Sequence, residues 1–246
     1  MYKYVEKGYL HPQGPATLKH KYYLESEVAH IEALEKSAFE EKLRKISAYF
    51  AQARPSDMQS LYELAVRIFG SSTIGAEKRR SWIEKEPKGN YVIKRNDTNE
   101  VVAYFYIQSL SHERIMQYMK ESRGSTVTPE DIRKIEPGQH EMIIAGIGRD
   151  PRADKQYTAA LFRGFARELE QWGHEGIDVT HFYAYSETLD GVFLCFTMGM
   201  QLSERPRYMD GSPFFKFILD VEKSDLPLLQ PYKKALAKWK VVHEAL

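Results

Sequence analysis

The sequence contains one cysteine, Cys195, among its 246 residues. No disulfide within the chain can brace the fold, and so few thiols fit a cytoplasmic setting. Net charge is also nearly absent, at +1, which excludes a global electrostatic pull toward nucleic acid or an anionic membrane. No apolar run reaches the roughly 18 residues that a membrane-spanning helix needs, so no membrane partner is expected. The opening MYKYVEKGYLHP lacks the apolar stretch of a secretion signal. Repeats of solenoid length and low-complexity tracts are missing too. Material for a core is plentiful, with 43% hydrophobic and 13% aromatic residues.

Gly and Pro interrupt the first stretch at Gly8, Pro12, Gly14 and Pro15. A helix is predicted from Ser26, with Val28, Ile31 and Leu34 at helical spacing, continuing through Phe39, Leu43 and Ile46 to Phe50. Arg54–Pro55–Ser56–Asp57 combines a breaker with N-capping residues, and the domain boundary is placed there: 1–55, then 56–246. Beyond it the pattern alternates. Helices are predicted from Met58 to Gly70 and from Ala76 to Lys85, and a hairpin over 90–108 turns at Asn96–Asn99. A polar excursion over 112–138 opens with a helix. A strand at 140–148, an amphipathic helix at 156–172 and a strand at 181–185 follow. A short helix at 189–198, a strand at 214–219 and a helical tail from Leu228 complete the chain.

Several kinds of chemistry have no motif here. His174 and His181 have no companions at metal-ligand spacing, and His140–Glu141 is not a zinc motif, so no metal is expected. Neither a Gly-x-Ser-x-Gly elbow nor a phosphate-binding P-loop is present.

The element order resembles that of the GNAT family of N-acetyltransferases over roughly 57–222. Two local patterns carry the likeness. One is an apolar strand, Asp150–Pro151, a polar loop and an amphipathic helix ending at Trp172–Gly173. The other runs from Thr188–Leu189–Asp190–Gly191 through Leu194 to Met198–Gly199–Met200. The resemblance implies an α/β (α+β) fold: a mixed central sheet flanked by helices, with a small N-terminal helical appendage. It also implies transfer of an acyl group from acetyl-CoA or another acyl-CoA to a small-molecule or peptide amine, and leaves a homodimer open. Strand backbone at Ile147, Gly148 and Arg149 would pair with the pantetheine arm. Arg152, Lys155, Gln156 and Tyr157 would face the diphosphate at a helix N-terminus, and Thr188 falls in the second pattern. The family's phosphate loop is rich in glycine, whereas residues 152–160 contain none. Arg152 and Lys155 would then supply by charge what close backbone approach supplies elsewhere.

Amine acylation needs a base for the amine and an acid for the departing thiolate. The resemblance places Glu141 on the strand that carries the base; an exposed strand-end carboxylate is the plain alternative. The family's acidic Tyr aligns with Cys195, which reads more simply as a buried structural thiol. Tyr185, Tyr183 and Tyr208 are the residues that would substitute.

Gly8–Tyr9–Leu10, Pro12 and Tyr22–Tyr23 resemble the second half of a MerR-type or excisionase-type winged helix domain. The helix-turn-helix expected ahead of it has no counterpart, so DNA would be met only through this incomplete region, by Lys19, His20 and Lys21. This supports an alternative reading of the chain: a transcriptional regulator or ligand sensor with a degenerate GNAT-like domain.

Overall fold

The structure is a computed structural model. It describes residues 48–70, 73–120, 127–153, 156–209 and 212–243, together with 11, 24, 26–31, 33, 34 and 37 of the N-terminal stretch. The chain divides into two compact units, residues 1–49 and 50–246. In the first, residues 26–31 are helical, and the His11 Nδ1 lies 2.8 Å from the Glu27 carboxylate. The Gly8–Leu10, Tyr22–Tyr23 and Lys19–Lys21 segments, on which the winged-helix reading rests, lie outside the described residues.

The larger unit is a mixed sheet flanked by helices. Its strands are β1 (Ala48–Gln52), β2 (Asn90–Arg95), β3 (Val101–Leu110), β4 (Gly138–Arg149), β5 (Ile177–Ser186), β6 (Gln201–Leu202), β7 (Arg207–Met209) and β8 (Ser212–Asp220). The helices are α1 (Met58–Phe69), α2 (Ala76–Lys85), α3 (His112–Lys120), α4 (Gln156–His174), α5 (Leu189–Thr197) and α6 (Gln230–His243). The sheet order is β1-β2-β3-β4-β5-β8-β6, with β7 beside β8. β4 and β5 run parallel, joined by α4, as an amphipathic crossover helix between two apolar strands requires.

Local chemistry accounts for the elements. The β2–β3 turn ends on Asn99, whose φ of 57° is tolerated best by Gly and Asn. α4 lays Phe165 against Phe105, ring centroids 4.6 Å apart, and against Trp172 and Phe182. α6 packs on the same side. Its Tyr232 hydroxyl accepts a hydrogen bond from Val179 N at 2.6 Å and donates to Ile177 O at 3.0 Å, satisfying the backbone where β5 begins. Gly173 permits this approach, since a Cβ there would stand 2.6 Å from Tyr232 O.

The predicted long helix ends differently from the expectation. Phe50 lies in β1, where its ring stacks on Tyr91 at 5.3 Å and fills the space over Gly164. Aromatic burial against the sheet outweighs the helical spacing of the preceding residues. The division between the units accordingly falls at 49/50. Arg54–Asp57 sits inside the larger unit, where Asp57 accepts from Arg54 N and pairs with buried Lys94 at 2.6 Å.

Candidate active site

Strand pairing creates the candidate site. β4 and β5 are paired from Gly138↔Ile177 to Ile143↔Tyr183. Beyond that point β4 continues to Arg149 bonded to β3, while β5 continues to Ser186 bonded to β8. No ladder joins the two continuations, so the sheet parts between them. The parting begins at a β-bulge: Ile107 faces Ile144 and Tyr106 faces Gly146, leaving Ala145 without a partner on β3. Such a bulge bends a strand and re-aims its groups.

One sheet face, covered by α1 to α3, brings together residues from three strands by strict alternation. Glu141 on β4 is the centre of a polar group. Its Oε1 accepts from the Tyr183 hydroxyl at 3.1 Å, and its Oε2 lies 2.8 Å from His112 Nδ1. The carboxylate can only accept, so His112 donates from Nδ1. His181 Nδ1 lies 3.7 Å from Oε1. Burial and the adjacent carboxylate push the Tyr183 hydroxyl well above its usual range, so it stays a donor. His112 is largely exposed and connects the carboxylate to solvent.

Tyr185 lies two residues further along β5, beside the opening. Its ring stacks on Phe214 at 5.0 Å, and its hydroxyl accepts from Tyr118 at 3.3 Å. Cys195 is buried in α5, and burial pushes its thiol up to about 11. It has no hydrogen-bond partner among the described residues. Tyr208 is exposed on β7. Thr188 is the N-cap of α5, its hydroxyl accepting from Gly191 N at 3.1 Å.

The expected cofactor residues line the other side of the opening and the loop after β4. Ile147 pairs with Phe105, and Gly148 pairs with Tyr104. Arg149 donates to the carbonyls of Asp150 and Ala153, holding the loop closed. Arg152 makes a two-pronged pair with Asp150, Nε to Oδ1 at 3.1 Å and Nη2 to Oδ2 at 2.9 Å. These bonds, opposed by burial and aided by Arg67 at 3.4 Å, hold the Asp150 carboxyl down at about 2. The Arg152 cation is thus already matched by an anion. Gln156 and Tyr157 open α4; Lys155 lies outside the described residues.

Several residues of the site escaped the sequence reading. Arg79 of α2 is buried, donates to Ile74 O and Thr73 Oγ1, and lies over the rings of Tyr104 and Tyr106 at 5.6 and 5.4 Å. The Tyr104 ring in turn covers Gly146 and Gly148, where added Cβ atoms would approach it to 3.3 and 2.5 Å. Gly-x-Gly inside a strand was the available signal, because glycine there marks close approach of another group. His112 carried no signal, since its partner lies 29 residues away.

Among the described residues no cluster of His, Cys, Asp or Glu suits a metal ion, and no helix is long and apolar enough to cross a membrane.

The molecule is therefore an α/β protein whose sheet parts beside a carboxylate–histidine–tyrosine group. No family model matches the sequence, and no curated protein matches it. Solved structures with a similar course exist at low identity. The ribosomal-protein-S18-alanine N-acetyltransferase of Escherichia coli is 14% identical, with 70% of this chain and 93% of that one covered and a TM-score of 0.45. The NAA60 protein of Arabidopsis thaliana, solved with acetyl-CoA, is 12% identical over 71% and 99%, with a TM-score of 0.47. An acetyltransferase of the GNAT family from Streptococcus pneumoniae is 12% identical over 70% and 98%, with a TM-score of 0.45.

Proposed function

We propose that the larger unit transfers an acyl group, acetyl in the simplest case, from an acyl-CoA thioester to an amine. The observation that carries this reading is the parting of parallel strands at a bulge, with Glu141 beside its apex. An extended thioester arm laid in the opening takes strand-like hydrogen bonds from β4, at Ile147, Gly148 and Arg149. The start of α4, at Gln156 and Tyr157, turns the positive end of its helix dipole toward the diphosphate, with Arg152 in the loop before it.

The acceptor nitrogen attacks the thioester carbonyl carbon, and the carbon–sulfur bond breaks. Glu141 takes the proton that the nitrogen loses and gives it up to solvent, while the Nδ1–H of His112 holds the carboxylate in place. The departing sulfur takes a proton from Tyr185. Because Tyr118 donates to the Tyr185 oxygen, Tyr185 keeps its own proton for the thiolate, and solvent restores it. Cys195, buried and without a partner, packs α5.

The test combines the protein with acetyl-CoA and a panel of primary amines, following released thiol and product mass. Glu141→Gln should lower kcat by about a hundredfold, the usual scale for losing a positioned base, and Tyr185→Phe by about tenfold. Absence of thiol release above background with every amine, together with no heat of acetyl-CoA binding, would overturn the reading.

A further inference from the structure

Gln108 is 3% exposed, and among the described residues neither its Oε1 nor its Nε2 has a hydrogen-bond partner. A buried amide left in this state is costly, and such groups ordinarily have a partner in the working molecule. Its place in the sheet says where that partner enters. Gln108 lies on β3 directly opposite Ile143, the last residue of β4 that pairs with β5. It therefore sits level with the head of the opening, one strand away across β4, on the face that carries Tyr106 and Leu110. Glu141 lies opposite Leu110, so Glu141 and Gln108 are diagonal neighbours on one face, their Cβ atoms about 7 Å apart. Both side chains are long enough to converge on one small molecule.

The chemistry of the amide limits that molecule. Gln108 presents an acceptor and two N–H donors side by side. Its complement is a group that shows N–H and C=O together, as an amide or the backbone of one peptide residue does. A simple alkyl amine or polyamine has no acceptor to offer once protonated.

We propose that Gln108 binds an amide of the acyl acceptor, which makes the acceptor an α-amino amide or the amino end of a peptide. This inference rests on the acyl-transfer reading above. Its amine lies at Glu141 and its first amide at Gln108. One carbon separates the two groups in such a molecule, short enough to fit between two side chains that converge from about 7 Å.

The test uses alaninamide, with isopropylamine as the counterpart lacking the amide. In ¹⁵N-labelled protein, the Gln108 side-chain signals are assigned by their loss in Gln108→Leu and followed during titration. Alaninamide should shift them, and isopropylamine should leave them in place. With acetyl-CoA as donor, Gln108→Leu should lower kcat/KM for alaninamide at least about tenfold and change it for isopropylamine less than about twofold. The thermal midpoint of that variant should match or exceed that of the parent, because it removes an unsatisfied buried amide. Gln108→Met, unbranched like Gln, serves as a second variant should Leu pack poorly. Signals that ignore alaninamide overturn the proposal. So does an equal fall in kcat/KM for both amines, which would make Gln108 a packing residue, or a changed preference among acyl donors with acceptor preference intact. Shifted signals without acetyl transfer to any amine would sink the acyl-transfer reading and leave Gln108 as an amide-binding residue.

Discussion

At Asp150 three hydrogen bonds converge from Arg152, one from its backbone N–H and two from its guanidinium. The carboxylate is buried, so the loop after β4 depends on its charge. Its pKa is depressed from 3.8 to about 2, so the stabilisation is present above pH 4 and is lost as pH falls from about 4 to 2. Asp150→Asn should therefore lower unfolding free energy by about 1 kcal/mol at pH 7, a figure reduced for the exposure of Arg152. Denaturant melts should show the gap closing toward pH 2; a constant gap would mean that shape, not charge, is at stake. Gly148 makes a second case. Gly148→Ala would place a methyl group against the Tyr104 ring and Ile68, at 2.5 and 2.8 Å. It should cost about 1–3 kcal/mol, the scale of overpacking, measured by the same melts. Of the candidate residues, Glu141 was named by a family likeness, and Tyr185 only as one of three substitutes for the tyrosine that the likeness aligns with Cys195. Arg79, His112 and Gln108 were not, because what faces them in the fold (Tyr104 and Tyr106, Glu141, and Ile143) is distant in sequence, and one sequence carries no record of such pairs.

Among the elements, those with long-period patterns were legible and the short ones were not. α4 and the β2–β3 hairpin read directly from apolar spacing and turn residues. β6 and β7 span two and three residues, too few for any periodicity to register. β1 was hidden because Ile46 and Phe50 continue a helical spacing, and only the Tyr91 ring across the sheet reveals why Phe50 is extended. This element sets a testable boundary. A chain beginning at Ala48 should unfold cooperatively, since it keeps Phe50 over Gly164 and the Ala53 N bond to Asn90 O at 2.8 Å. One beginning at Ser56 loses both and uncovers the edge of β2, and should be less stable by about 2 kcal/mol, below the scale for a fully buried Phe because Phe50 is half-buried. Equal melting of the two chains would show that β1 adds nothing to the larger unit.

For the whole molecule the question is how a nearly neutral protein would capture a highly anionic thioester. The net charge of +1 supplies no long-range steering. Local cations would have to do it, and two of them are already engaged by groups of the protein itself. Arg149 holds loop carbonyls, and Arg152 is matched by Asp150. Among the described residues, the start of α4 adds its helix dipole, an attraction confined to the first turn. Glycines that would let phosphates approach the backbone closely are missing from residues 152–160. Acetyl-CoA should accordingly bind with a Kd above about 10 μM, weaker than the roughly 8 kcal/mol that corresponds to 1 μM. With Arg152 already paired to Asp150, raising ionic strength from about 0.05 to 0.5 M should weaken binding less than about threefold, although the Debye length shrinks severalfold over that range. Arg152→Ala should change the affinity little while lowering stability, because its first partner is Asp150. Titration calorimetry at the two ionic strengths checks each point. A Kd at or below 1 μM, falling steeply with salt and lost in Arg152→Ala, would mean that the ligand draws Arg152 away from Asp150, and that the loop rearranges on binding.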